Sequence, residues 1–401
     1  MKKILLRTSA AVIFSSGIVF AGGYKIPETS LNSLALSAAN VAYSQGSDAA
    51  YYNPANMAFM QDENSLNANI MYIGIEPTHF KGSGSMAGVE IDAEAEAFIV
   101  PSIHYVSNEI SGMRFGLSIV SPGGLTKRWT DSPAVDKAEQ FTLQVIEVNP
   151  TVAIKLNDEV SVALGLRALH SSGIVKSTST ASRDLEGESY DFGYNVALSY
   201  KPTSDIHMAL TYRSNVDLSV EGNAKLYVSG TKVYDGGASV SVPLPGLLNL
   251  ALAYTLPSKT TVEFVYERNF WSSYKELDFD YVSTIPLAIQ PYFDDPIAKN
   301  WKDSNSYRLG VTQNMDALTL MAGIVYDETP VPEQSASFEL PDSNSLAVSF
   351  GGRYQINEKL DAGLAALYSV KEDRSIANDD LSGEFSNGKI FLVSAGIEYK
   401  F

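Results

Sequence analysis

The chain has 401 residues, with 29 Lys and Arg against 46 Asp and Glu, a formal charge of -17, and no Cys. The acidic excess argues against nucleic acid as a partner, since phosphate binding needs a basic surface, and stability must come without disulfides. A mean hydropathy of -0.03 is what alternating apolar and polar residues average to, and 22 Tyr suit interfacial girdles.

In chain order, Met1 to Ala21 carries Lys2, Lys3 and Arg7, an apolar run from Ala10 to Phe20, and a small residue before Gly22. This is the pattern of a secretory signal peptide over residues 1–21. The run is too short to cross about 30 Å of hydrocarbon as an anchor helix. No later segment is long and apolar enough to span as a helix, so the chain reads as periplasmic, secreted or a membrane barrel. Residues 22–62 form a small N-terminal unit. Leu31, Leu34, Ala35, Ala38 and Ala42 recur at three and four after Ser30, which predicts a short small-residue helix. Asn53 before Pro54 breaks regular structure, and the richness in Ala, Ser and Gly permits close packing inside a tube.

Alternating segments then predict strands near 64–77, 90–107, 112–121, 138–156, 159–178, 187–201, 205–222, 236–256, 260–271, 304–314, 317–327, 343–356, 359–373 and 388–401. Most reach the roughly 9 to 11 residues that a tilted membrane strand needs. Short polar turns such as Leu156-Asn157-Asp158-Glu159 alternate with long acidic loops such as Trp271 to Ser304. The last segment puts Phe391, Val393, Ala395, Ile397, Tyr399 and Phe401 on one face and Ser394, Gly396, Glu398 and Lys400 on the other. An apolar outer face and a small or charged inner face suit a strand between lipid and lumen. The expected fold class is all-β: a transmembrane antiparallel β-barrel of about fourteen strands over 63–401, with the N-terminal unit as a hatch inside the lumen. Tyr399 and terminal Phe401 resemble the C-terminal signal read by the barrel assembly machinery.

The motifs Gly22-Gly23-Tyr24-Lys25-Ile26-Pro27-Glu28, Asn53-Pro54-Ala55, Ser121-Pro122-Gly123-Gly124-Leu125, Tyr212-Arg213-Ser214, Trp271-Ser272-Ser273-Tyr274, Trp301-Lys302-Asp303, Tyr326 to Pro332 and Leu340-Pro341-Asp342 follow one another in order. Together they resemble the FadL family of outer-membrane transporters for long-chain fatty acids and other hydrophobic compounds. The resemblance implies a plugged barrel in the bacterial outer membrane, among its lipid and lipopolysaccharide, acting as a monomer. Ligand passes from an extracellular groove to an inner pocket touched by the N-terminus, then leaves through a gap at a kink in the third strand. It implies that Tyr24 lies near the pocket, that Asn53, Pro54 and Ala55 hold the hatch, and that Pro122, Gly123 and Gly124 form the lateral gate. Pro removes a ladder donor and Gly tolerates unusual dihedrals, so paired edges can part there; an ordinary loop start is the alternative.

A fatty acid carboxylate calls for a cation among apolar walls. Lys302 matches the family's head-group position. The second basic position falls at Lys176 shifted by about one residue, which on a strand reverses the face. That leaves fatty acid and neutral hydrocarbon both open as ligands. Trp271 and Tyr274 line the groove or belong to the interfacial girdle. His79, His104, His170 and His207 are scattered, so no metal, cofactor or catalytic group is expected. A His170–Ser172 lipase pairing and a general diffusion porin are the remaining alternatives, the latter disfavoured by a hatch in the lumen.

Overall fold

The computed structural model describes residues 22–401; the expected signal peptide, residues 1–21, lies outside the described residues. Fourteen antiparallel strands form one closed barrel. They are β1 Ser65–Ile75, β2 Glu96–Val106, β3 Met113–Val120 resuming as Gly124–Arg128, β4 Gln140–Lys155, β5 Val160–Ser177, β6 Ala181–Tyr200, and β7 Ile206–Arg213 with Val216–Val228. Next come β8 Thr231–Leu244 with Gly246–Thr255, β9 Thr260–Phe270, β10 Ser304–Met315, β11 Leu318–Asp327, β12 Ser345–Asn357, β13 Leu360–Lys371 and β14 Lys389–Lys400. Each strand pairs with its neighbour in sequence. The barrel closes where β14 meets β1, from Ser65 opposite Lys400 to Ile75 opposite Ile390.

The alternation that predicted the strands sets their burial in an order inverted from that of a water-soluble protein. On β14, Phe391, Val393, Ile397 and Tyr399 are exposed, while Ser394 and Glu398 are buried. On β5, Leu164 and Leu166 face outward while Ser161 and Arg167 point into the lumen. Apolar exteriors and polar interiors place the exterior against lipid.

Two expectations need correction. Residues 181–186, 223–228 and 231–235 are not loops: β5 to β8 run on past the length a membrane requires. Their upper parts turn Leu185, Ala224 and Leu226 inward as a hydrophobic wall, and a two-residue turn with positive φ at Ser229 and Gly230 joins β7 to β8. The second correction concerns the N-terminal helix, α1, which covers only Leu31–Ala35. The Ser30–Ser33 capping box starts it. Its last carbonyl is taken up by the barrel wall, Ser349 donating to Ala35 O at 2.9 Å, and just past its end Arg308 donates to Ser37 O at 2.9 Å. Ser37 and Ala38 then adopt positive φ.

The N-terminal segment fills the lumen. Glu263 on β9 accepts from the backbone N–H groups of Val41, Ala42 and Tyr43 at 2.7, 2.6 and 3.1 Å. Glu398 on β14 accepts from Ser47 N at 2.8 Å. On β11, a Cβ at Gly323 would lie 2.2 Å from the Leu36 carbonyl carbon, so only glycine lets the segment approach this closely. Outside the membrane band, His79–Gly82, Glu90–Asp92, Arg374–Ala377 and Ser382–Ser386 form a small four-stranded sheet that caps the long-loop end.

Candidate ligand cavity and the interrupted third strand

Between the upper parts of the strands and two long loops lies a cavity, partly open to solvent, with an almost wholly apolar lining. Strands β3 to β8 supply Leu125, Phe141, Leu143, Val175, Val220 and Val240, the inward residues of their alternation. Tyr274, Leu277, Phe279 and Trp301 come from the loop between β9 and β10. The N-terminal segment supplies Tyr24, whose hydroxyl donates to Pro243 O at 2.5 Å. Its ring packs against Trp271 and Trp301 at centroid distances of 4.8 and 5.9 Å. Concave and apolar, the space has the character of a site for a hydrophobic molecule.

The cavity floor joins the interruption in β3. The strand breaks over 121–123, and the N-terminal segment is laid across the break: Ile26 N donates to Pro122 O at 2.8 Å and Gly124 N to Tyr24 O at 2.8 Å. A Cβ at Gly123 would meet Leu244 Cδ1 at 2.9 Å and Tyr24 O at 3.1 Å. The β2–β3 register holds only from Ile103 to Val106, so residues 96–102 carry no register pairs on their β3 side. At the first residue of that stretch, Arg128 grips Glu96 with hydrogen bonds of 2.7 and 2.8 Å. Pro101 sits within the unpaired stretch, on the kind of edge where a missing N–H costs no ladder bond. Sequence reading passed over Pro101, although a proline inside a predicted strand is the available signal for such an edge. Behind the interruption is a small gap lined by Glu28, Val100, Ser102 and Ser121 among others.

Buried charges hold the N-terminus in place. Lys25 pairs with Glu267 and donates to Asn269 Oδ1 at 2.9 Å. Arg308 lies 3.3 Å from Glu267, 3.3 Å from Asp327 and 3.7 Å from Glu28. Glu28 belongs to the N-terminal segment. Its carboxyl is raised to about 7, chiefly by burial, with Asp327 adding to the rise and Arg308 and Lys25 opposing it. Further along, Asn53 donates to Val41 O at 2.8 Å and Ser199 Oγ at 2.9 Å, and accepts from Ala55 N at 3.2 Å. Pro54 opens the 3-10 turn Pro54–Phe59, and Ala55 O accepts from Ser161 at 2.7 Å.

The expected site residues therefore separate. Tyr24, Trp271 and Tyr274 come together with Trp301 in one buried aromatic cluster, so Trp271 and Tyr274 are interior residues and not a lipid-facing girdle. Pro122, Gly123 and Gly124 lie against that cluster. The two expected head-group lysines do not join it. Lys302 is exposed and absent from the cavity wall. Lys176 points away from the wall that Val175 lines and pairs with Asp184 at 3.4 Å. The cation on the wall is Lys299, three residues before Lys302, held 2.6 Å from Glu339. No local pattern marks either residue, because their meeting depends on how two long loops fold together.

The family model described as "Outer membrane protein transport protein (OMPP1/FadL/TodX)" matches residues 12–401. A long-chain fatty acid transport protein of Escherichia coli O6:H1 is 24% identical over 398 residues, covering 87% of each chain. The fold is similar to a crystal structure of a Pseudomonas aeruginosa FadL homologue, with a TM-score of 0.83 at 18% identity, covering 94% of this chain and 99% of that one. It is also similar to the Ralstonia pickettii toluene transporter TbuX, with a TM-score of 0.70 at 18% identity over 92% and 97% of the two chains.

Proposed function

This chain belongs to the OMPP1/FadL/TodX family of outer-membrane transport proteins, and on that premise we propose that it carries long-chain fatty acids passively across the outer membrane. The observation that carries the reading is the contact between an apolar cavity and an interrupted strand through Tyr24. Residues 22–62 act as the hatch. A hydrophobic molecule enters under the loop cap, fills the cavity, and shifts the Tyr24–Ile26 segment. The unpaired edge of β2 then offers a lateral way out past Pro122, Gly123 and Gly124 into the bilayer. The driving force along this path is the partition of the hydrocarbon chain, about 0.8 kcal/mol per buried CH₂, so transport runs down a gradient.

Fatty acids are the first candidates because the curated relatives, matched along most of the chain, are long-chain fatty acid transport proteins. A second reading, neutral or aromatic hydrocarbons, is favoured by one observation: Glu339 already neutralises the cavity's lysine. Mass spectrometry of the molecules released from the detergent-extracted protein tests both. Fatty acids are the expected result. Hydrocarbons would select the second reading, and release of neither, with conductance to small polar solutes instead, would sink both.

A further inference from the structure

We infer that Lys299 is the head-group seat of the cavity, and that Glu339 occupies it as an internal carboxylate with which an anionic ligand must exchange. The inference rests on the transport reading and goes on to say what chemistry the cavity selects. Among the described residues lining the cavity, Lys299 is the one cation. Its side chain is 6% exposed and that of Glu339 is 16% exposed. Lys299 is therefore the more deeply buried of the pair, and Glu339 the one with more exposure. Burial raises the Glu339 carboxyl, but the Lys299 ammonium outweighs it with the help of Lys299 and Ser337 hydrogen bonds, so the group stays below its usual range. Glu339 is thus an anion already seated where a fatty acid carboxylate would form the same charge-assisted bond. The remaining acid on the wall, Glu186, is exposed and can stay solvated.

An exchange at Lys299 acts on the segment that holds the N-terminus. Leu340, next to Glu339, lines the cavity, and Phe338 O accepts from Trp129 at 2.9 Å. Asp342 accepts from Gly23 N at 3.2 Å, Thr329 at 2.7 Å and Lys371 at 2.7 Å. A ligand carboxylate that turns Glu339 outward pulls on a strap whose far end is bonded to the residue before Tyr24. A neutral ligand of equal length makes no such exchange. The pair therefore sets a penalty that falls on anions alone, a difference of affinities built on a competing group.

The test measures binding of palmitate and of hexadecanol, which share a chain length and differ in charge, to delipidated protein in detergent at pH 7.5. Glu339→Gln is expected to tighten palmitate about tenfold and leave hexadecanol within about twofold; Lys299→Gln is expected to weaken palmitate alone. Heat-modifiability on gels checks that each variant keeps its barrel. Wild-type preference for hexadecanol, reversed in Glu339→Gln, supports the exchange without relying on absolute affinities. Unchanged or weaker palmitate binding in Glu339→Gln, with hexadecanol still bound, overturns the inference and leaves the transport reading standing. Binding of neither probe by the wild type overturns both.

Discussion

Two residues of the N-terminal segment show how single side chains decide whether the plug stays seated. Gly23 has φ +82°, and a Cβ there would lie 2.6 Å from the Trp271 ring. Gly23→Ala is therefore opposed by both dihedral and space, and is expected to expose the segment to protease while the barrel stays intact on gels. Glu28 is held protonated up to about pH 7 by burial, with Asp327 adding and Arg308 and Lys25 subtracting. Since the seated state keeps its proton where the released state has lost it, seating is strongest below about pH 4.5 and weakens as pH rises to about 7. The linkage amounts to roughly 3 kcal/mol at most. Hydrogen exchange in residues 22–60 should be slower at pH 5 than at pH 8, and Glu28→Gln should flatten that difference; an equal slope in the variant would refute the assignment. Arg308 faces three carboxylates, and Arg308→Met is expected to cost about 3–5 kcal/mol, because it strands buried charge. Chemical unfolding followed by tryptophan fluorescence would measure it. At this scale the sequence is legible only where a motif or a dihedral marks the residue. Tyr24 and Gly123 were marked by the motifs in which they stand. Lys299 and Glu339 were not, since 40 residues and two loop conformations separate them.

Strands were legible because lipid and lumen impose opposite demands on alternate residues, and the period of two survives along each one. The reading faltered where a different solvent took over. Above the membrane band, β6 and β7 continue with Asp184 and Lys225 on the face opposite Leu185, Ala224 and Leu226, and that polarity resembles a loop. Small residues misled in the hatch. The spacing of Leu31, Leu34, Ala35 and Ala38 reads as a longer helix, but α1 ends after five residues, where Ser349 takes up its last carbonyl and Arg308 the carbonyl of Ser37 just past its end. Asn53 is the corresponding anchor of the second helix, α2 Ala49–Tyr52, where it follows the last residue and begins the Pro54 turn. Removing its three hydrogen bonds in Asn53→Ala is expected to cost about 1–3 kcal/mol. The loss should appear as a lower midpoint for release of the segment under mild denaturant, without change in the barrel transition.

As a whole, the molecule couples a closed wall to a plug that completes the wall where it is broken. The ladder of thirteen neighbouring pairs is sealed by β14 against β1, and at the β2–β3 contact residues 96–102 of β2 are left as an unpaired edge. The N-terminal segment bonds to Pro122 and Gly124 across the break. On the proposed route, a cavity ligand that contacts Tyr24 and an exit bridged by Tyr24–Ile26 would share one moving part. Uptake of a labelled long-chain fatty acid by proteoliposomes, comparing wild type with Gly123→Val, tests this coupling most directly. A valine at 123 meets Leu244 and Tyr24 in the break itself. The wild type should fill to equilibrium and no further, and the variant, folded and still binding ligand, should not fill. Equal uptake by both would contradict lateral release at β3.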